Sequence, residues 1–246
     1  MQAMIFAAGL GTRLKPLTDH MPKALVSVGG EPLLKRVILK LKEAGVERIV
    51  VNVHHFSEQI VSYLKENNNF DTDILISDES QMLLETGGGI KKARPLFEQS
   101  SPVLIHNVDI LSNVDLNDFY NLPLGNTTPA ARLIVSSRKT KRYLLFDSTM
   151  RLVGWTNIDT GEVKSPYPNL NPADCQMFAF SGIHMVWPEL FPLMDDEPDK
   201  FPIMDFYLKN CQRVRIEGIL KTDLRLMDVG KQETLHEAER FLTEEL

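Results

Sequence analysis

Cysteine is scarce in this chain: two in 246 residues, Cys175 and Cys211. They stand far apart with no metal-ligand spacing, which argues against a disulfide framework or a zinc site and for free thiols in a reducing cytosol. No hydrophobic run is long enough to span a bilayer. The apolar stretch at the N-terminus is too short for a signal peptide and no basic segment precedes it, so a cytoplasmic location is expected. Positive charge does not dominate either. A net charge of -6 argues against a general nucleic-acid or anionic-membrane surface, and neither partner is expected. An anionic substrate must then be met by a local cluster of cations. Repeats and obvious linkers are also missing, which points to one domain over 1–246.

What is present is ordinary in amount and informative in order. Hydrophobic content of 43% and charged content of 24% allow a sizeable core without metal or disulfide staples. Residues 5–8, 49–53, 74–76 and 103–105 read as strands. Leu33, Leu34, Val37, Ile38 and Leu41 have helical spacing and predict a helix ending near Gly45. Ile60, Val61 and Leu64 mark a second helix, and a third runs from about Gly89 to Arg94, limited by Pro95. Strands alternating with helices imply right-handed βαβ units and a mostly parallel sheet, with ligands at the carboxyl ends of its strands. After about residue 129 the pattern changes. Strands are expected at 131–136, 144–147, 152–155, 177–183, 214–219 and 224–228, and helices near 188–193, 202–210 and 232–242. The stretch 159–174, rich in Pro, Asn, Gly and Asp, reads as a loop. The division suggests a first half over about 1–129 and a second over about 130–246.

Four segments carry candidate chemistry. In the first, Met4-Ile5-Phe6-Ala7-Ala8-Gly9-Leu10-Gly11-Thr12-Arg13 is a short apolar run ending in a glycine-rich turn, and Pro22-Lys23 follows. Such a turn exposes backbone N–H groups, which suits a phosphate, and Arg13 and Lys23 add two cations. A dinucleotide-binding loop would need a third glycine at position 14, where Leu14 stands, and a Walker loop would need Gly-Lys-Ser/Thr. An ordinary strand-turn with a surface arginine is the alternative. In the second, His106-Asn107-Val108-Asp109 closes an apolar strand with a carboxylate, which suits Mg²⁺ or a turn cap. In the third, Leu226-Met227-Asp228-Val229-Gly230 again ends a strand with an aspartate before a glycine turn. In the fourth, Thr86-Gly87-Gly88-Gly89 just before a helix offers either close ligand approach at a helix N-terminus or a flexible turn. His54-His55 has the look of a metal pair, but adjacent side chains diverge, so it reads as a loop or helix start. Asp195-Asp196-Glu197 reads as a solvated turn.

The order Gly9-x-Gly11-Thr12-Arg13-Leu14-x-Pro16-Leu17-Thr18, followed by Pro22-Lys23 and Leu25, closely resembles the signature of the sugar-1-phosphate nucleotidyltransferases, which make NDP-sugars from an NTP and a sugar 1-phosphate. The resemblance implies the nucleotide-diphospho-sugar transferase fold, a Rossmann-like, mostly parallel mixed sheet flanked by helices. The β-helix tail of some relatives is not expected. It implies a nucleotide half and a sugar half, Mg²⁺ held by Asp109 and Asp228, and catalytic roles for Arg13 and Lys23. It further implies nucleotide contacts at Ala8, Gly9, Gly11, Thr12 and Gly88, and sugar contacts at Gly182 and Asp205. Leu84-Glu85-Thr86-Gly87-Gly88-Gly89 and Phe180-Ser181-Gly182-Ile183 are especially similar to the bacterial N-acetylmuramate 1-phosphate uridylyltransferases of cell-wall recycling. Val108 departs from the glycine many relatives carry there, and Leu226 and Lys231 depart from their Trp and Thr. Mannose- or heptose-1-phosphate guanylyltransferases share the same motifs. A silent NDP-sugar sensor would tend to lose the arginine, lysine or aspartates, all of which are present here.

Overall fold

The computed structural model describes residues 1–125 and 127–244. Its strands are β1 (Gln2–Phe6), β2 (Ser27–Val28), β3 (Glu31–Pro32), β4 (Arg48–Val53), β5 (Asp73–Asp78), β6 (Val103–Asn107), β7 (Ile110–Ser112), β8 (Ala131–Ser136), β9 (Arg142–Phe146), β10 (Leu152–Asn157), β11 (Glu162–Lys164), β12 (Gln176–Val186), β13 (Ile216–Leu220) and β14 (Leu226–Asp228). Its helices are α1 (Leu33–Glu43), α2 (Ser57–Glu66), α3 (Glu85–Ala93), α4 (Leu116–Tyr120), α5 (Ile203–Asn210) and α6 (Leu235–Glu244).

One mixed sheet runs through both halves of the chain in the order β11-β10-β9-β12-β6-β1-β4-β5, with β8 bridging β12 and β13. Strands β5, β4, β1 and β6 are parallel. β12 joins β6 antiparallel and then reaches both β8 and β9. The expected Rossmann-like mixed sheet flanked by helices is therefore what the chain forms, with its parallel part in the first half. Each face has its own core. Leu33, Leu34, Val37, Ile38 and Leu41 of α1 pack on one face with Ile5, Ile49 and Val51. Ile90, Phe206 and Tyr207 pack on the other with Met4, Val50 and Ile105. The alternation of side chains along β1 and β4 thus divides their apolar residues between the two faces.

The short or aperiodic elements depart from expectation. The stretch 159–174 contains β11 and a 3-10 turn at Pro172–Asp174, so it is not all loop. Residues 188–193 form a 3-10 helix (Pro188–Met194), shaped by Pro188 and Pro192. The third helix starts at Glu85, four residues earlier than the pattern suggested, so Gly87, Gly88 and Gly89 lie within it. Among the described residues no helix is long and apolar enough to cross a membrane.

Strand order decides where the site lies. β1 is flanked by β4 on one side and β6 on the other, so the connections leaving the first strands run in opposite directions. A crevice opens at such a switch point, beyond the carboxyl ends of the strands. Phe6 and Asn107, the last residues of β1 and β6, stand in register there.

Candidate active site

A cleft of about 510 Å³ occupies that switch point, lined by Ala8 through Arg13, Lys23, Asn52, Glu79, Thr86, Asn107, Asp109 and Gly230 among others. The turn after β1 builds one wall. Gly11 has φ +64°, a left-handed conformation that side chains resist. A Cβ there would lie 2.8 Å from Thr18 Cγ2, so the fold itself requires this glycine. Gly9 has open space on its Cβ side. Among the described residues no protein group accepts from the N–H of Gly9, Leu10 or Gly11, three residues that line the cleft beside Thr12. Ala8 lines the cleft too, but its N–H donates to Asn52 Oδ1 at 3.3 Å, alongside Ala7 N–H at 2.7 Å.

Asn52 is the centre of a network that the sequence reading missed. Its amide donates to Glu79 Oε1 at 2.7 Å, and Glu79 Oε2 accepts from Leu84 N–H at 3.1 Å. Asn52 and Glu79 are both buried. The turn after β1, the end of β5 and the start of α3 are thereby tied to one side-chain pair. The available signal was a polar residue inside the β-branched run Ile49-Val50-Val51-Asn52-Val53.

The opposite wall brings together residues from distant parts of the chain. β14 pairs antiparallel with β7, setting Asp228 opposite Ile110, and Val229 N–H donates to Asp109 O at 2.8 Å. Asp109 and Asp228 therefore emerge from adjacent backbone. Lys23, buried, forms an ion pair with Asp109. The Arg13 guanidinium lies against Gly230, where a Cβ would be 2.8 Å from both Arg13 Nη2 and Asp228 Oδ1. Loss of water and the neighbouring Asp109 charge raise the Asp228 carboxyl above its ordinary value, opposed by Lys23, Arg13 and Arg138. Two carboxylates whose charges repel are a fitting donor set for a hard divalent cation, which takes few protein oxygens and completes its shell with phosphate and water. Among the described residues no cluster of three or more metal-ligating side chains occurs. Val108 keeps its side chain in the core and leaves the Asp109 carboxylate at the cleft.

Gly182 sits where β12 shifts register against β8, with φ +82°, and a Cβ there would lie 2.8 Å from Asn107 Nδ2. It packs against Asn107, which lines the cleft, without lining the cleft itself. Two further expected contacts also lie away from it. Gly88 does not line the cleft. Its N–H and that of Gly87 donate to Phe201 O, at 3.2 and 2.9 Å, and its Cβ position falls 2.0 Å from Asp199 O. The glycines allow a close backbone crossing, and the donors expected for a ligand are used within the protein. Asp205 is exposed on α5, 3.7 Å from Lys164 Nζ, and does not line the cleft. His54 and His55 fall in the loop after β4, as expected, with His54 Nδ1 bonded to Glu79 O at 2.7 Å. Asp195 and Glu197 of the acidic turn form ion pairs with Arg94 and Lys209.

The model of the nucleotidyl transferase family matches residues 2–143. Over 98% of its length the chain is 32% identical to an N-acetylmuramate alpha-1-phosphate uridylyltransferase of Caulobacter vibrioides, covering 97% of that protein. A protein of the same description from Neisseria meningitidis is 42% identical over 47% of this chain and 49% of its own. The crystal structure of HddC from Yersinia pseudotuberculosis superimposes with a TM-score of 0.77 at 22% identity, covering 98% of this chain and 99% of that one.

Proposed function

The chain belongs to the nucleotidyl transferase family, and on that premise we propose that it transfers a uridylyl group from UTP to N-acetylmuramate 1-phosphate, releasing pyrophosphate, as a step in cytoplasmic cell-wall recycling. The observation that supports nucleotidyl transfer is the convergence of Arg13, Lys23, Asp109 and Asp228, from three separate segments, on one cleft mouth beside a turn with unpaired N–H donors, and the choice of substrates is supported by the likeness to the Caulobacter vibrioides protein over 98% of the chain.

A sugar-phosphate oxygen attacks the α-phosphorus, a new P–O bond forms, and the bond to the β-phosphate oxygen breaks with its electrons leaving on pyrophosphate. The nucleophile is already an anion near neutral pH, so no general base is needed. The protein has to hold two anions in line and stabilise charge on the leaving group. Arg13 faces the β- and γ-phosphates. Lys23 stands between the α-phosphate and the sugar phosphate, exchanging its pairing with Asp109 for these oxygens. The turn over Ala8, Gly9, Gly11 and Thr12 cradles the nucleotide, and Gly182 lets Asn107 sit against β12, so that its part in holding the sugar is indirect. Asp109 and Asp228 would hold Mg²⁺, which would supply positive charge to neutralise the phosphates. We assign residues of about 1–129 to the nucleotide half and about 130–246 to the sugar half.

The test is pyrophosphate release in the presence of Mg²⁺, with four NTPs crossed against a panel of sugar 1-phosphates. A signal confined to UTP with N-acetylmuramate 1-phosphate is expected. Preference for GTP with mannose or heptose 1-phosphate would keep the mechanism and overturn the substrate. Silence from a folded, nucleotide-binding protein would turn the reading to a sensor. Arg13→Ala and Asp109→Ala should each lower turnover by about two or more orders of magnitude with folding retained, as read by thermal melting.

A further inference from the structure

Among the described residues three carboxylates line the cleft, those of Glu79, Glu85 and Asp109. Glu79 accepts from the Asn52 amide and from Leu84 N–H, and Asp109 pairs with Lys23. Glu85 is different. It is exposed, and among the described residues nothing donates to its carboxylate. Its backbone holds φ +61°, a left-handed conformation that a side chain resists and a glycine adopts freely. The residues on either side fix it there. Leu84 N–H donates to Glu79 Oε2 at 3.1 Å, Leu84 O accepts from Phe201 N–H at 3.2 Å, and Thr86 Oγ1 accepts from Ile203 N–H at 2.9 Å. On the wall of a cleft built for anions, the chain keeps an acid where glycine would suit the backbone better, a strain of the kind held at functional sites.

A free carboxylate repels phosphate, so it has to face an uncharged donor. The sheet order decides which part of a nucleotide that is. Asp109 follows β6, with Lys23 paired to it and Arg13 beside Asp228 and Gly230. Glu85 is tied through Leu84 and Glu79 to the end of β5. β1 and β4 lie between β6 and β5, which sets the two walls three strand spacings apart, about 14 Å. Phosphates held by the cations leave the nucleoside on the β5 side. There the ribose presents two adjacent hydroxyls, which match the two oxygens of a carboxylate through charge-assisted bonds. Acidic side chains take the ribose of dinucleotides in the same way. Other parts of the substrates suit Glu85 poorly. The N3–H of uracil lies between two carbonyl oxygens, which would oppose the second carboxylate oxygen. N-Acetylmuramate has no vicinal diol, since C2 bears the amide and C3 the lactyl ether, and its own carboxylate would repel Glu85.

We infer that Glu85 is the ribose-binding residue of the nucleotide site, its two carboxylate oxygens accepting from the 2′- and 3′-hydroxyls. This rests on the substrate reading above, under which the ribose is the one vicinal diol among the reactants.

The experiment is isothermal titration without sugar phosphate, giving Kd for the four NTPs and for the 2′-deoxy and 3′-deoxy forms of the tightest. The wild type, E85Q and E85G are compared, each checked by thermal melting. The wild type should bind the ribonucleotide about tenfold more tightly than either deoxy form. In E85G the ribonucleotide should lose about tenfold to a hundredfold and the deoxy forms less, so that the preference collapses. The Tm of E85G should equal or exceed that of the wild type, because glycine relieves the backbone. E85Q, which keeps one acceptor and loses the charge, should lie between the two. An equal loss on all three nucleotides, or no loss, would overturn the inference, and so would a wild type indifferent to both hydroxyls. A lower Tm in E85G with the ribose preference intact would make Glu85 a scaffold residue and overturn it as well. The preferred base is read from the wild type before any variant is made, so failure of the uridylyl reading shows there, apart from the ribose comparison.

Discussion

Asn52 shows how much a single polar side chain can hold. Replacing it with leucine keeps the volume and removes three hydrogen bonds, stranding the N–H of Ala7 and Ala8 and one carboxylate oxygen of buried Glu79. Unpaired buried groups cost about 1–3 kcal/mol each, so Asn52→Leu should lose about 3 kcal/mol in urea unfolding. A loss under about 1 kcal/mol would show that the network is slack. Asp228 makes the opposite trade. Its carboxyl is raised by desolvation and by Asp109. The folded chain thus binds its proton more tightly than the unfolded chain, and stability falls as pH rises through that range. In chelator at pH 7, Asp228→Asn should therefore raise Tm, by about 1–2 °C, and the gain should vanish where the wild-type carboxyl is protonated. Calorimetry at pH 7 and pH 3 checks both, and a lower Tm at pH 7 would contradict the account. At this scale the sequence was partly legible. Asp109 and Asp228 stood at strand ends and Arg13 and Lys23 in and after a glycine-rich turn, but the resemblance of the motif order is what singled all four out. Glu79 did not, because only the pairing of β4 with β5 brings it to Asn52.

The glycines separate two reasons for having no side chain. In α3, Gly88 is required by the segment Asp199–Phe201 crossing over it, more than a hundred residues later in the chain. In the turn after β1, Gly9 meets nothing within 4 Å. Gly88→Ala should destabilise by about 2–3 kcal/mol through overpacking and leave the nucleotide KM of the surviving folded enzyme close to wild type. Gly9→Ala should leave the melting temperature unchanged and raise that KM. Melting curves paired with nucleotide titrations distinguish the two, and a reversed pattern would return Gly88 to the nucleotide site. The helix carrying Gly88 was visible in the sequence, but its start was not. Glycine is a poor helix former, and the bonds from Gly87 and Gly88 to Phe201 that anchor its first turn come from a remote segment. β7 is three residues long, too short for a period, and is not legible. β14 is legible within the strand expected at 224–228, but its pairing with β7, which sets Asp109 beside Asp228, is not.

The sheet ties both halves into one body through β12, which pairs with β6 of the first half and with β8 and β9 of the second. The alternating strands and helices of residues 1–107 were enough to read the parallel part. The antiparallel part could be read as strands, but not as an order, because β12 partners with three strands at once. Two histidines lie on this shared seam, paired in register: His106 on β6 is opposite Ile183, and His184 on β12 is opposite Ile105. His106 donates from Nδ1 to Asn107 O at 2.7 Å, and His184 shares a 2.7 Å hydrogen bond with the Tyr207 hydroxyl. Burial pushes His106 down to about 4 and His184 to about 3. Both are neutral in the folded chain at pH values where the unfolded chain has already protonated them. The unfolded state therefore binds more protons below the ordinary histidine value, and stability is lost as pH falls from about 6.5 toward those folded values. Each group contributes about 1.4 kcal/mol per pH unit when its unfolded form is fully charged, so together they should give a slope of about 2–3 kcal/mol per unit between pH 6 and pH 5. Few carboxylates with ordinary values titrate in that window, which keeps the histidine signal separate. In the double variant H106Q/H184Q, urea unfolding across the window should show that slope flattened by most of this amount, whatever the absolute stability of the variant. A wild-type slope in the folded double variant would mean that the acid sensitivity of the molecule arises elsewhere than at the seam joining its two halves.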